Sequence, residues 1–393
     1  MSSLISMTNH LVIDLGSDTI KIGFNGETLP RLVLPNCIGK IKDSCRNLLV
    51  PENKLYFAYD ALYNSAFLNI SYPKVESKGR FLTEDLNDYE KLFEYIFTEQ
   101  MKIKQDQYET FIIDSIFTTV KERKIIAELL FEKFKMYRLH FEPQSIMSLY
   151  SSSKTSGLVV DSGEIYTEIV PIFEGYVVPF GIKSYPLAGS SLTKLWKDKI
   201  NLGGLKCADF WVKEIKEKYA ELKEERNEKD KKEIDEINFP LPDGNVIKIG
   251  EERHKFQEIF FNPSEFGYDL PSVQESIVDS IEKCDIFLRK ELYSSIVLSG
   301  GNSLIKNFST RLQSSLLSLV PEKSPKVHAF EDRKFSAWIG ASGLCSLGQF
   351  QNKWLSKPDF LEFGEKVFWQ GDLMQERKEE KEEMRGSLNE LGI

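Results

Sequence analysis

The sequence has no Cys-x-x-Cys pair, and none of its five cysteines, Cys37, Cys45, Cys207, Cys284 and Cys345, stands at metal-ligand spacing from another cysteine or a histidine. That pattern excludes a zinc site and a disulfide scaffold, and it predicts reduced thiols in an intracellular protein. The first ten residues lack the basic flank and long apolar core of a signal peptide. No later run is long and apolar enough to span a bilayer, so a chain of the cytosol or nucleus with no membrane insertion is expected. Positive charge is also in deficit: 51 Lys and Arg against 60 Asp and Glu give a net charge of −9. Such a balance argues against nonspecific binding to nucleic acid or to an anionic membrane, and no direct nucleic-acid partner is expected.

What the chain does have is enough length and apolar content for two domains, with 393 residues of which 41% are hydrophobic. Residues 11–21, Leu-Val-Ile-Asp-Leu-Gly-Ser-Asp-Thr-Ile-Lys, form the most informative stretch, an apolar strand that ends in a carboxylate and turns through Gly16 and Ser17. A glycine lets the backbone approach an anion closely, Ser17 adds a hydroxyl, and Lys21 returns a positive charge from the next strand. Asp14 would hold a hydrated divalent ion beside the phosphates. Taken alone the pattern also fits an ordinary glycine hairpin.

Further along, residues 85–101 show helical spacing, with Leu86, Tyr89, Leu92, Phe93, Ile96 and Phe97 on one face after a Thr83 or Asp85 cap. Residues 110–113 read as a strand, 121–134 as a second amphipathic helix with Ile125, Ile126, Leu129, Leu130 and Phe134 inward, and 145–150 as a third helix. Strands alternating with helices indicate an α/β layer with a mainly parallel sheet. Then the opening pattern recurs: Gly157-Leu-Val-Val-Asp-Ser-Gly163 is again an apolar strand ending in Asp, hydroxyl and glycine, with strands expected over 165–171 and 176–179. Two such hairpins facing one another across a cleft can grip a polyphosphate from both sides, which one hairpin cannot do.

These residues carry a family resemblance. Asp14-Leu-Gly-Ser-Asp-Thr-Ile-Lys21 with Gly23-Phe24, Leu149-Tyr150, Asp161-Ser-Gly163, Pro171-Ile-Phe-Glu-Gly-Tyr176, Leu187-Ala-Gly189, Ile215-Lys-Glu-Lys218, Leu241-Pro-Asp-Gly244, Leu298-Ser-Gly-Gly301 and Trp338-Ile-Gly340 resemble, in order and approximate spacing, actin and the actin-related proteins. The resemblance runs from about residue 11 to 354. It implies an actin-like α/β fold of two domains and four subdomains, with duplicated ribonuclease-H-like halves around a nucleotide cleft. Subdomain 1 would take residues 1–35, 73–151 and 336–373, subdomain 2 residues 36–72, subdomain 3 residues 152–187 and 268–335, and subdomain 4 residues 188–267. A charged tail would occupy 374–393.

The resemblance further implies ATP or ADP with Mg2+ in the cleft. Position by position, Asp14 and Asp161 would organise the metal's water shell. The turn at Gly16 and Ser17, with Lys21, Ser162 and Gly163, would contact phosphate, and Gln144 would orient the attacking water. Lys216 and Glu217 fall on the positions that meet base and ribose, Gly300, Gly301 and Asn302 form the turn beneath the nucleotide, and Lys334 reaches the adenine. Viewed without that register, Lys216 and Glu217 are ordinary members of a charged helical run over 213–236.

Departures from the family pattern are as informative. Asp18 stands where the family has glycine; a carboxylate about 4 Å from a phosphate charge is opposed by roughly 4 kcal/mol at an intermediate dielectric, and by a few tenths if it points into solvent. In the second turn the family's Asp-Ser-Gly-Asp-Gly-Val-Thr-His is replaced by Asp161-Ser-Gly-Glu-Ile-Tyr-Thr-Glu168. Glu164 is longer than Asp, Ile165 replaces a conformationally free glycine, and Glu168 puts a negative charge where the histidine stood. A carboxylate can serve as general base, but phosphoryl transfer needs positive or dipolar stabilisation, so at most a slow ATPase is expected.

The loop over 39–56 keeps the family length without its internal glycines, and Leu48-Leu49-Val50 reads either as its apolar tip or as a small edge strand. The Glu/Lys-rich run within 375–384 suits a solvated helix or a disordered tail, with or without a partner. The expected function is an ATP-binding structural subunit of a cytoskeletal or other multiprotein assembly, alongside other actin-family subunits. A polymerising actin-like ATPase and a nuclear chromatin-remodelling subunit are the alternatives. A sugar kinase or chaperone ATPase is disfavoured, because no substrate-binding insertion or peptide-binding domain is visible.

Overall fold

The computed structural model describes residues 10–45, 54–77, 80–83, 86–201, 209–223, 236–241, 244–347, 350 and 353–371. The apolar tip at residues 48–50, the end of the charged run beyond residue 223 up to 235, Cys207 and the tail at 374–393 lie outside them.

Two sheets organise the chain. The first has six strands in the order Leu355–Ser356, Arg138–Pro143, Glu109–Asp114, Leu11–Leu15, Thr19–Phe24, Leu32–Pro35. Its opening strand pairs antiparallel with Thr19–Phe24 and parallel with Glu109–Asp114. The second sheet repeats that plan: Gly157–Ser162 pairs antiparallel with Thr167–Phe173 and parallel with Ile296–Ser299. All residues of Leu11–Leu15 and of Gly157–Ser162 are buried, which is why both read as unbroken apolar runs. The α/β layer with two related halves is therefore what the chain forms, but the expectation of a mainly parallel sheet is corrected: each sheet is mixed, with two parallel pairings and three antiparallel ones, because each opening strand turns back through a hairpin.

Helix boundaries differ from the sequence reading in one consistent way. The two long amphipathic stretches are each a helix that ends in a wider π-type turn: Leu86–Tyr95 runs into Ile96–Gln100, and Val120–Glu128 into Leu129–Lys133. Of the residues expected inward, Tyr89, Leu92, Phe93, Ile96, Phe97, Ile126, Leu129, Leu130 and Phe134 are buried nonetheless, whereas Ile125 is only partly buried. Widening the turn keeps Ile96 and Phe97, or Leu129 and Leu130, on the core side after the regular spacing has drifted. The Thr167–Phe173 strand starts two residues later than expected, because Gly163 donates its N–H to the Tyr166 carbonyl and closes the turn first.

Each sheet has its own core, around Phe93, Phe97 and Phe131 in the first half and Trp196, Tyr293 and Phe308 in the second. A third core joins them, with Val12 and Phe111 from one sheet and Val159 and Val297 from the other. Helices Gln144–Ser151 and Ser336–Cys345 cross inside it, so closely that a Cβ on Gly340 would sit 1.9 Å from the Met147 carbonyl oxygen. The two hairpins therefore sit on a shared, rigid base. No helix among the described residues is long and apolar enough to cross a membrane.

Candidate functional site

In the first hairpin, Gly16 is required by the tightness of the turn, since a Cβ there would lie 2.5 Å from the Thr19 carbonyl oxygen. Asn36, fully buried at the end of the third strand, holds the turn from one side: its backbone N–H donates to the Asp18 carbonyl at 2.8 Å and its Nδ2 to the Gly16 carbonyl at 2.9 Å. Asp14 and Lys21 face one another in register, and Lys21 Nζ donates to Asp14 Oδ2 at 2.6 Å. Both are buried, and Asp14 Oδ1 has no hydrogen-bond partner among the described residues.

The second hairpin places Asp161 opposite Glu168, so Glu168 holds the position that Lys21 holds in the first half. Asp161 Oδ2 accepts from Gln144 Nε2 at 2.7 Å. Burial raises the Asp161 pKa; hydrogen bonds from Ser299 and Gln144 and the charge of Lys21 oppose that rise, and Asp14 adds to it. Glu168 Oε1 accepts from the Ser115 hydroxyl at 3.1 Å. Gly300, at φ +84°, passes against this hairpin, where a Cβ would come within 2.3 Å of the Ser162 carbonyl oxygen and 2.7 Å of Asp161 Oδ1. Asn302 then ties the two elements, donating from Nδ2 to Ser162 Oγ at 3.1 Å and to the Gly163 carbonyl.

Between the hairpins lies a cavity of about 210 Å³. Its outer end is formed by helix Asp209–Tyr219. Lys216, nearly fully buried, donates from Nζ to the Gly189 carbonyl at 3.0 Å and to Thr193 Oγ1 at 2.8 Å, and burial lowers its pKa. Glu217 stands 4.0 Å from Lys334 Nζ. Burial also raises the Glu164 pKa despite the nearby ammonium groups of Lys213 and Lys216. Lys213 is itself raised: burial alone would lower it, but the carboxylates of Glu164 and Asp18 outweigh that effect. Asp18 is ion-paired with Lys213, which answers where its carboxylate points.

Most of the sequence-predicted residues line this cavity: Gly16, Ser17 and Lys21 from the first hairpin, Gln144, Asp161 and Gly163 with Gly300, Gly301 and Asn302 at the second, and Lys216, Glu217 and Lys334 beyond them. Ser162, expected to contact the cofactor, is 1% exposed and does not line the cavity; its hydroxyl is shared between Thr167 Oγ1 at 2.8 Å and Asn302, joining strand and turn. Asp14 is likewise 1% exposed and is not among the residues lining the cavity; it is joined to it through its ion pair with Lys21, which lines it. Ser115, Asn36 and Lys213 are functional neighbours that sequence reasoning missed. Each acts on a residue 18 or more positions away, and no local pattern marks them.

The residues fit a hydrated metal and not a protein cage. Among the described residues no group of three or more His, Cys, Asp or Glu side chains is arranged to hold an ion. What the site offers is a pair of buried carboxylates, Asp14 and Asp161, one with an orphaned oxygen, and Mg2+ characteristically keeps several waters in such a setting. A sequence model of the family described as Actin matches residues 5–208 and 206–370. With both halves matched, and with the duplicated hairpins and their cleft in place, the fold is the actin-like two-domain fold and the chain belongs to the actin family.

Proposed function

We propose that this protein is a nucleotide holder: a divergent actin-family member that binds ATP or ADP with Mg2+ as a structural subunit of a cytoskeletal multiprotein assembly, with hydrolysis slow or absent. Members of the family generally bind ATP or ADP with Mg2+. In this chain Gly16, Ser17 and Lys21 would meet the phosphates, Lys216, Glu217 and Lys334 the adenosine, and Asp14 and Asp161 the metal's water shell. When bound, the metal would screen the phosphates from the carboxylates around them.

The observation that carries the reading is the charge at the inner end. Asp14, Asp161 and Glu168 stand there against one ammonium, Lys21, which is already committed to Asp14 at 2.6 Å. Phosphoryl transfer spreads negative charge over the transferred group and needs positive or dipolar donors around it. Gln144, the residue for positioning water, donates to Asp161 instead. Ground-state binding through the adenosine end survives this arrangement better than the chemical step does.

The test is to purify the full chain, denature it, and identify the released nucleotide, while following phosphate release from the intact protein. The expected result is ATP or ADP in near-equimolar amount and phosphate release far below that of a polymerising ATPase. A protein that carries and binds no nucleotide would overturn the reading. A second reading, a polymerising ATPase, is favoured by the presence of Asp14, Lys21, Gln144 and Asp161 together around one cleft. Pelleting with Mg2+ and ATP, coupled to phosphate release, would establish it. A nuclear remodelling subunit is distinguished by what copurifies.

A further inference from the structure

The mouth of the cleft is crossed by side chains from opposite halves of the chain. Asp18, in the turn of the first hairpin, is ion-paired with Lys213 on helix Asp209–Tyr219, 195 residues away. Lys213 Nζ also stands 4.0 Å from Glu164 of the second hairpin and 4.0 Å from Glu217. A second contact lies beside it: the Tyr63 ring, at the end of helix Ala58–Tyr63, meets Phe210 edge-on at 5.3 Å. Phe210, Lys213 and Lys216 with Glu217 recur every three to four residues along one helix, so the crossing contacts and the adenosine residues share one face. Displacing this helix to let a ligand out must break the crossing.

The ion pair has a further consequence for the phosphates. While it is closed, the Asp18 carboxylate is compensated by Lys213. Once it opens, the same carboxylate becomes an unpaired negative charge among the residues lining the phosphate end of the cavity. Opening therefore both frees the path and adds repulsion. We propose that Asp18 and Lys213 form an electrostatic gate on the cleft, which retains an anionic nucleotide when closed and helps expel it when open. This rests on the nucleotide-holding reading above, and it assigns that site its means of release.

Three full-length proteins test it: wild type, Lys213→Met, which breaks the pair and leaves the Asp18 charge, and Asp18→Asn, which breaks the pair and removes the charge. The first readout is dissociation of a fluorescent ATP analogue chased with unlabelled ATP in Mg2+. Lys213→Met is expected to release it about tenfold faster than wild type, and Asp18→Asn measurably less fast than Lys213→Met. Equal acceleration in the two variants would reduce the pair to a structural link, and no acceleration would remove the gate. The second readout, backbone amide exchange over residues 209–219 in nucleotide-free protein, is independent of binding. Faster exchange in both variants is expected, and unchanged exchange would overturn the crossing. If wild type binds no analogue, the nucleotide-holding reading fails, whereas the exchange data still decide whether the crossing closes the cleft.

Discussion

The indole N–H of Trp338 donates to the carbonyl oxygen of Val12 at 3.1 Å, joining a helix late in the chain to its first strand across 326 positions. Both residues are fully buried in the core between the two halves. Val12 lies two residues before Asp14, so this bond steadies the strand that presents the first hairpin. Replacing Trp338 by Phe keeps most of the apolar contact and removes one of the donors to a carbonyl that also lies in the strand ladder opposite Gly23, which should cost about 0.5–1.5 kcal/mol. Urea denaturation checks it; a midpoint equal to that of wild type would mean that the bond contributes nothing net.

Two glycines two turns apart or less on the same helix should respond in opposite directions to the same change. Gly340 and Gly343 both lie in Ser336–Cys345. A Cβ on Gly340 would meet the Met147 carbonyl oxygen at 1.9 Å and the Ser151 nitrogen at 3.1 Å, whereas one on Gly343 would meet nothing within 4 Å. Gly343→Ala should stabilise by up to about 1 kcal/mol, the ordinary helix-interior preference. Gly340→Ala should force the crossing helices apart and lower the thermal midpoint or abolish soluble folding. Equal midpoints for the two variants would contradict the packing described for the central core.

Much of this architecture is legible in the sequence because it is written locally. An apolar run that ends in Asp and then turns through hydroxyl and glycine specifies a buried strand and its exit, and its recurrence at residues 157–163 specifies the second half. Lys216 and Glu217 are legible only by their register with a family pattern; their surroundings are a charged helix like any other. The side of Asp18 is not legible at all, because its partner Lys213 is brought near only when the halves close on each other. The same holds for Asn36, whose side chain pins a turn that sequence marks by its glycine alone. The partners of the Ser162 hydroxyl are not legible for the related reason that a hydroxyl in a phosphate-type turn serves equally to bond its own neighbours.

A capping box secures helix Val273–Glu282, which packs against the second sheet. Ser272 accepts from the Glu275 N–H, and Glu275 Oε2 accepts from the Ser272 N–H at 2.8 Å. Ser272→Ala should cost about 1 kcal/mol. The hydrogen bonds from the Ser272 hydroxyl and backbone hold the Glu275 pKa below its ordinary 4.5. A carboxylate with a depressed folded-state pKa contributes stability that is present above the unfolded value and lost as pH falls through the folded one. The stability gap between wild type and Glu275→Gln should therefore be full at neutral pH and shrink as pH drops below about 4.5. Thermal midpoints of both proteins across pH 3 to 7 measure it, and a gap that is flat or widens toward acid would show that the ionised cap is not the source.

The Asp14 and Lys21 pair offers the most direct link between the stability of the fold and the site. Removing one member of a buried ion pair leaves the other as an uncompensated charge, at a cost of about 3–5 kcal/mol. Lys21→Met should show that loss, since Asp14 is 1% exposed and already has one oxygen without a partner among the described residues. Adding Asp14→Asn should recover part of it, giving a double-mutant cycle that is far from additive. A dication supplies the same compensation from outside the chain, so Mg2+ should raise the thermal midpoint of Lys21→Met more than that of wild type, and should do little for the double variant. If Mg2+ shifts all three proteins alike, Asp14 does not face the metal's water shell, and its carboxylate serves only to anchor Lys21 in the hairpin.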